Sequence, residues 1–288
     1  MNINDYKGVW IFAEQREGKI LDVSLELLGE GRKIADKLKV KLTAVLLGEK
    51  LDSMSKELAK HGADSVLVVE DEFLNVYTTQ VYTRVIAELI NKRKPEIVLI
   101  GATTIGRDLA PRLAARVKTG LTADCTSLDI DEENLNLLMT RPAFGGNIMA
   151  TIVCTKHRPQ MSTVRSGVMA KAKFNPSKVG EIEKISFELE KQDSNTKIID
   201  IIKKVKQQVS LEAAEFIVSG GRGLGNKEGF ELLKKLADTL GGEVGSSRGC
   251  VDAGWIDQNH QVGQTGKTVR PKIYIACGIS GADRKSVV

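Results

Sequence analysis

Two doubly wound (Rossmann-like) α/β domains are what this 288-residue chain predicts, and three observations carry that prediction. Near-continuous apolar runs alternate with amphipathic segments through the first part of the sequence. From residue 127, apolar stretches follow one another with turn residues between them and no intervening helix. Beyond residue 214 the order of strand, glycine-rich turn and helix begins again. The length suits two domains at the usual ~150 residues each.

Taken in order, residues 9–13 (VWIFA), 42–47 (LTAVLL), 65–69 (SVLVV) and 96–100 (EIVLI) read as strands. Residues 27–38, 51–61 and 81–91 read as the helices among them. Strands that are apolar on both sides of the pleat belong in a parallel sheet covered on both faces. Residues 135–140, 148–155 and 161–168 are separated by Pro142, Gly145-Gly146-Asn147 and Arg158-Pro159. Strands without intervening helices pair antiparallel, so these predict an added antiparallel edge on the first domain. Residues 182–189 offer one further strand. The polar start of 191–208 (KQDSNTKIIDIIKKVKQQ) reads as a linker entering a helix, which places the first domain at 1–194 and the second at 195–288. In the second, strand 214–219 leads through GGRGLGN (220–226) into helix 227–240, and a later strand occupies 272–276.

Composition removes several classes of function. No apolar run reaches the ~20 residues that cross a bilayer, and MNINDYKGVW has no signal-peptide core, so a cytoplasmic location without membrane insertion is expected. The net charge of +5 arises from basic residues interleaved with 37 acidic ones, and 5% aromatic content offers few stacking platforms; nucleic acid is not the expected partner. Four scattered cysteines without a C-x-x-C and three isolated histidines (His61, His157, His260) predict neither a disulfide framework nor a metal site.

The loops carry the chemistry. GGRGLGN follows a buried strand and precedes a helix, where a parallel-sheet protein binds phosphates. Its glycines do not fit G-x-G-x-x-G, so a tight turn needing positive φ explains them equally well. Arg222 favours a site, because a guanidinium there would face a pyrophosphate. Further on, Gly263-Gln-Thr-Gly-Lys-Thr268 resembles the end of an ATP-binding loop, but G-x-x-x-x-G-K-[ST] requires glycine where Gln261 stands. The preceding residues are polar and Pro271 follows too soon for a helix, so phosphotransfer is disfavoured. A donor-rich loop running into a strand remains. With Gly245-Ser-Ser-Arg248 and Gly278-Ile-Ser280-Gly281, it gives several strand ends topped by Gly, Ser, Thr or Arg, an arrangement expected for a nucleotide-bearing cofactor. Residues 100–116 (IGATTIGRDLAPRLAAR) read either as a capped surface helix or as a contact surface at a strand's carboxyl edge, with Arg107, Arg112 and Arg116 exposed to a ligand or partner.

Together, GATTIGRDLAPRLAARVKTGLTADCT (101–126), RPAFGGN (141–147), TVRSGV (163–168), GGRGL (220–224), SSRGCVDAGW (246–255), QVGQTGKTV (261–269) and YIACGISGA (274–282) resemble the α subunit of electron-transfer flavoprotein. The resemblance covers almost the whole chain in order. It implies a heterodimer in which 1–194 contacts a β subunit and 195–288 binds FAD. It also implies a carrier subunit rather than a stand-alone enzyme. Electrons would arrive from NADH or from dehydrogenases such as the acyl-CoA dehydrogenase of fatty acid β-oxidation, and leave to a quinone oxidoreductase or another acceptor.

Residue by residue, the resemblance places Arg222 at the pyrophosphate and lines FAD with Ser247, Val262, Gly263, Gln264, Thr265, Ser280, Gly281 and Ala282. It sets Arg248 over the isoalloxazine and the Thr265 hydroxyl near flavin N5, making these two the residues of the redox chemistry. A fixed positive charge beside the ring favours its reduced, negatively charged form. The chain departs from the family after Ala282: it reads Asp283-Arg-Lys-Ser-Val-Val288, with Lys285 where the family has a flavin-facing histidine. The expectation is therefore a truncated or altered FAD-binding domain lacking its C-terminal strands. The alternative is a flavin-free chain that acts only through its β subunit.

Overall fold

The computed structural model describes residues 3–143, 148–189, 196, 211, 214–263 and 265–281. The chain forms two compact units, Met1–Ile201 and Ile202–Val288. The first unit contains β1 (Val9–Phe12), β2 (Gln15–Arg16), β3 (Lys19–Ile20), α1 (Asp22–Leu38), β4 (Leu42–Gly48), α2 (Asp52–Lys60) and β5 (Ser65–Glu70). It continues with α3 (Thr79–Arg93), β6 (Ile97–Gly101), α4 (Thr104–Arg116), β7 (Leu121–Cys125), β8 (Ser127–Ile130), β9 (Leu137–Ala143), β10 (Ile148–Ile152), β11 (Gln160–Val164) and β12 (Glu181–Lys184). The second unit contains β13 (Phe216–Gly220), α5 (Gly229–Leu240), β14 (Glu243–Ser246), α6 (Arg248–Asp252) and β15 (Ile273–Cys277).

A seven-stranded sheet in the order β12-β5-β4-β1-β6-β11-β7 forms the first unit, with every neighbouring pair parallel. Its strands are apolar on both faces for the reason the sequence suggests. In β1, Val9 and Ile11 join a core with Leu27, Leu28 and Leu58 from α1 and α2. Trp10 and Phe12 face a second core with Val85 and Leu109 from α3 and α4. Helices on both faces of one parallel sheet make the unit doubly wound.

The antiparallel strands are not an edge of this sheet. β8, β9 and β10 form a separate three-stranded sheet on the connection from β7 to β11. The stretch read as 161–168 and assigned to the antiparallel edge instead supplies β11, inserted between β6 and β7 and parallel to both. Its sequence QMSTV is buried throughout although polar, and two of its side-chain oxygens are used. The Gln160 side-chain oxygen accepts from Leu137 N at 2.9 Å, and the Thr163 hydroxyl accepts from Asp124 N at 2.8 Å. β12 is shorter than the expected 182–189 and pairs parallel with β5 at the opposite edge.

In the second unit, β13 lies between β14 and β15, again all parallel. Phe230, Leu233 and Ala237 of α5 pack with Val218 and Val244. β15 is an edge strand among the described residues, with Ile273 half exposed. The helix expected in 191–208 lies outside the described residues, as do Gly145, Gly146 and Asn147. No helix among the described residues is long and apolar enough to cross a membrane.

Candidate functional site

Three parallel strands in the second unit bring the turns after β13, β14 and β15 to one edge of the sheet. The turn after β13 is shaped by close approach. A Cβ at Gly221 or Gly223 would run into Gly278, the first residue after β15. Gly221 N donates to Cys277 O and Gly223 N to Gly278 O, both at 2.9 Å. The glycines read as a phosphate turn therefore also lace two loops together. Among them, only Gly225 has positive φ, at 84°.

Arg222 is exposed, and its side chain lies against Gly249 in the first turn of α6, where an added Cβ would meet the Arg222 Cδ at 3.2 Å. Ser247 N donates to Gly220 O at 2.9 Å, which ties the turn after β14 to the end of β13. Arg248, with its side chain 67% exposed, is held by Asp252 one helical turn on, at 3.3 Å. Arg248 has one carboxylate beside it and Arg222 packs on the same turn, which leaves positive charge for an anionic ligand.

The 261–267 turn attaches to the same edge. Val262 N donates to Ser246 O at 2.9 Å, and Gln261 bridges Ser246 in parallel. The turn closes on itself: Lys267 N donates to Gln261 O at 2.7 Å, Gly263 N to Lys267 O at 3.1 Å, and Gly266 N to Gly263 O at 3.0 Å. A phosphate loop must aim such N–H groups at its ligand, so the fold removes the ATP reading independently of the sequence. Gln261, the residue that breaks the motif, holds the turn. It is buried, and its side-chain amide donates to the Thr265 hydroxyl at 2.7 Å. The Thr265 hydroxyl thereby keeps its own hydrogen for another acceptor.

Arg222, Ser247, Arg248, Val262 and Gly263 are thus brought together by hydrogen bonds and contacts along one edge, with Thr265 on the same closed turn. Ser280 and Gly281 follow β15 at that edge and are exposed; Gln264, Ala282 and Lys285 lie outside the described residues. Sequence reasoning missed Asp252 and Gln261. The first was signalled by its spacing of four from Arg248, whereas a buried glutamine in a polar run gave no signal. The Ser246 hydroxyl is fully buried at the end of β14 without a hydrogen-bond partner. An unmet polar group, glycines without room for a side chain and exposed guanidiniums fit a large, polar, phosphate-bearing cofactor.

On the first unit, Thr103 caps α4 by accepting from Gly106 N at 3.0 Å. Arg112 and Arg116 are exposed on α4, as a capped surface helix predicts. Arg107 differs, because its Nε turns back to donate to Ala102 O at 2.9 Å at the sheet's carboxyl edge.

Comparison with known proteins accounts for both units. Residues 9–190 match the electron transfer flavoprotein domain, and residues 210–286 match the electron transfer flavoprotein FAD-binding domain. The chain is 60% identical to Protein FixB of Clostridium saccharobutylicum, over 98% of this chain and 84% of that protein. It is 59% identical to the electron transfer flavoprotein subunit alpha of Thermoanaerobacterium thermosaccharolyticum, over 97% of this chain and 84% of the relative. It is 48% identical to the acryloyl-CoA reductase electron transfer subunit beta of Anaerotignum propionicum, over 98% of this chain and 84% of that protein. The chain belongs to the electron transfer flavoprotein α-subunit family, and its second unit is that family's FAD-binding domain.

Proposed function

We propose that the chain works as the α subunit of a heterodimer with an electron-transfer flavoprotein β subunit, receiving electrons from dehydrogenases or NADH and passing them to a quinone oxidoreductase or another acceptor. The acyl-CoA dehydrogenase of fatty acid oxidation is the proposed donor class, and the relative named as an acryloyl-CoA reductase subunit supports CoA-thioester chemistry nearby. The observation that carries the reading is the convergence of Arg222, Arg248 and the 261–267 turn on one edge, through the Ser247–Gly220 and Val262–Ser246 bonds.

FAD supplies electron uptake and release in steps of one or two. The chain's residues supply the rest. Arg222 holds the pyrophosphate through a charged, forked donor. Ser247, Val262, Gly263, Gln264, Ser280, Gly281 and Ala282 line the cofactor and limit water around it. Arg248 holds a positive charge beside the ring, kept in place by Asp252. Thr265, its oxygen taken up by Gln261, would have its hydrogen free to donate to the flavin.

An absorbance spectrum of the chain purified with its β subunit tests the assignment: a flavin band supports it, and its absence favours a flavin-free subunit that acts by binding β. In the flavin-loaded protein, Arg248→Ala lowers the midpoint potential by on the order of 30–60 mV, the size of ~1 kcal/mol for one electron. An unchanged titration curve removes Arg248 from the site.

A further inference from the structure

Gln261 stands where an ATP-binding loop would carry glycine, and it ends a polar run, yet it is only 4% exposed. Its backbone is fixed at both ends of the peptide. Its N donates to Gln258 O at 3.0 Å, and its O accepts from Lys267 N at 2.7 Å. The residues on either side are tied to β14: His260 Nδ1 donates to Val244 O at 2.6 Å, and Val262 N donates to Ser246 O at 2.9 Å. Across the turn, a Cβ at Gly266 would meet Gln261 O at 2.3 Å and Gln261 Cγ at 2.9 Å. Glycine at 266 therefore makes room for glutamine at 261.

A side chain held this firmly can hold another. The Gln261 amide donates to the Thr265 hydroxyl at 2.7 Å. Gln261 is buried and Thr265 is exposed, so the bond runs from the inside of the turn to its surface. A hydroxyl carries one hydrogen and two lone pairs. Once an amide N–H points at its oxygen, its hydrogen must be aimed elsewhere, away from Gln261. The turn has few other donors to offer, because the N–H groups of Val262, Gly263, Gly266 and Lys267 are all spent on carbonyls.

We infer that Gln261 is a positioning residue: by donating to Thr265 it makes that hydroxyl a fixed donor to the flavin, and so favours uptake of the first electron. This rests on the assignment of FAD to this edge. Negative charge arriving on the ring strengthens its acceptors, so a donor already in place favours the charged ring over the oxidised one. Glutamine achieves this without adding charge of its own. A carboxylate of the same shape would accept the Thr265 hydrogen and turn the hydroxyl round.

Redox titration of the chain purified with its β subunit tests the inference, using Gln261→Glu alone and combined with Thr265→Val. The carboxylate adds a negative charge as well as reversing the hydroxyl, and the Thr265→Val background measures the charge by itself. Gln261→Glu disfavours the first electron about tenfold more in the wild-type background than in the Thr265→Val background, the size of one hydrogen bond. In the same variant the nitrogen NMR resonance of flavin N5 moves downfield as its donor is lost. Gln261→Met, which removes the amide without adding charge, serves if Gln261→Glu takes up no flavin. Its effect has the same sign, is smaller, and again requires the Thr265 hydroxyl. Equal shifts in the two backgrounds overturn the inference, and so does an unmoved N5 resonance in Gln261→Glu. Loss of flavin from both Gln261 variants overturns it too, by giving the residue a structural role alone. A wild-type protein without a flavin band instead removes the FAD assignment on which the inference rests.

Discussion

Glu26, on the buried face of α1, shows how one side chain ties pH to stability. Gly167 N donates to both of its carboxylate oxygens, at 3.1 and 2.9 Å, which fastens the chain after β11 to the helix. Burial pushes its pKa up to about 7, opposed by the backbone donors Gly167 and Met169 and by Lys171, and aided by Asp22. The folded value lies above the ordinary carboxylate value of 4.5. Between the two, the folded chain holds a proton that the unfolded chain has released. The corresponding stability is complete below the unfolded value and is lost as pH rises through 7. Glu26→Gln removes that dependence while keeping one acceptor for Gly167. Urea midpoints at pH 5 and pH 8 differ for the wild type by an amount equivalent to about 1–3 kcal/mol, and by much less for the variant. Parallel pH profiles for the two proteins would contradict this account.

Among whole elements, legibility followed how each strand meets its polar requirements. LTAVLL announces a strand because β4 is buried on both faces and carries almost no polar side chain. LTADC does not, and QMSTV, read within the strand 161–168, does not show its parallel pairing, because β7 and β11 bond each other and β9 through polar groups (Asp124 N to Thr163, Leu137 N to Gln160). Only pairing reveals β7 and the place of β11, and pairing is not local in sequence. The turn from β6 into α4 shows a stricter local demand. A Cβ on Gly106 would collide with Gly101 O, so this helix can fold back onto its own strand only with glycine there. Gly106→Ala therefore destabilises the first unit by roughly 3 kcal/mol or more. Thr103→Ala, which loses the cap and the hydroxyl bond to Glu14, is milder at about 1 kcal/mol. Thermal melts of the two variants check both the magnitudes and their order. An unshifted midpoint for Gly106→Ala would show that the turn relaxes without strain.

Across the whole molecule, the site was legible as residue types but not as an assembly. Arg222, Arg248 and Thr265 could be chosen from loop chemistry and resemblance. That Gly221 and Gly223 face Gly278, far along the chain, or that Gln261 braces Thr265, emerges only when parallel strands bring their carboxyl ends to one edge. The same architecture gives each unit its own core, built on Leu27, Leu28 and Val85 in the first and on Val218, Phe230 and Leu233 in the second. Separate cores predict two calorimetric transitions. FAD binds the folded second unit, so it shifts that unit's transition alone. At a hundredfold excess over its Kd the ligand adds ~2.7 kcal/mol, which for a unit of this size raises the midpoint by roughly 10–20 °C. Gly221→Ala drives a methyl group into the Gly278 backbone, so it abolishes most of the FAD-dependent shift and leaves the first unit's transition where it was. A single transition that moves as a whole with added FAD would mean that the two units unfold as one, and the separate-core account would fail.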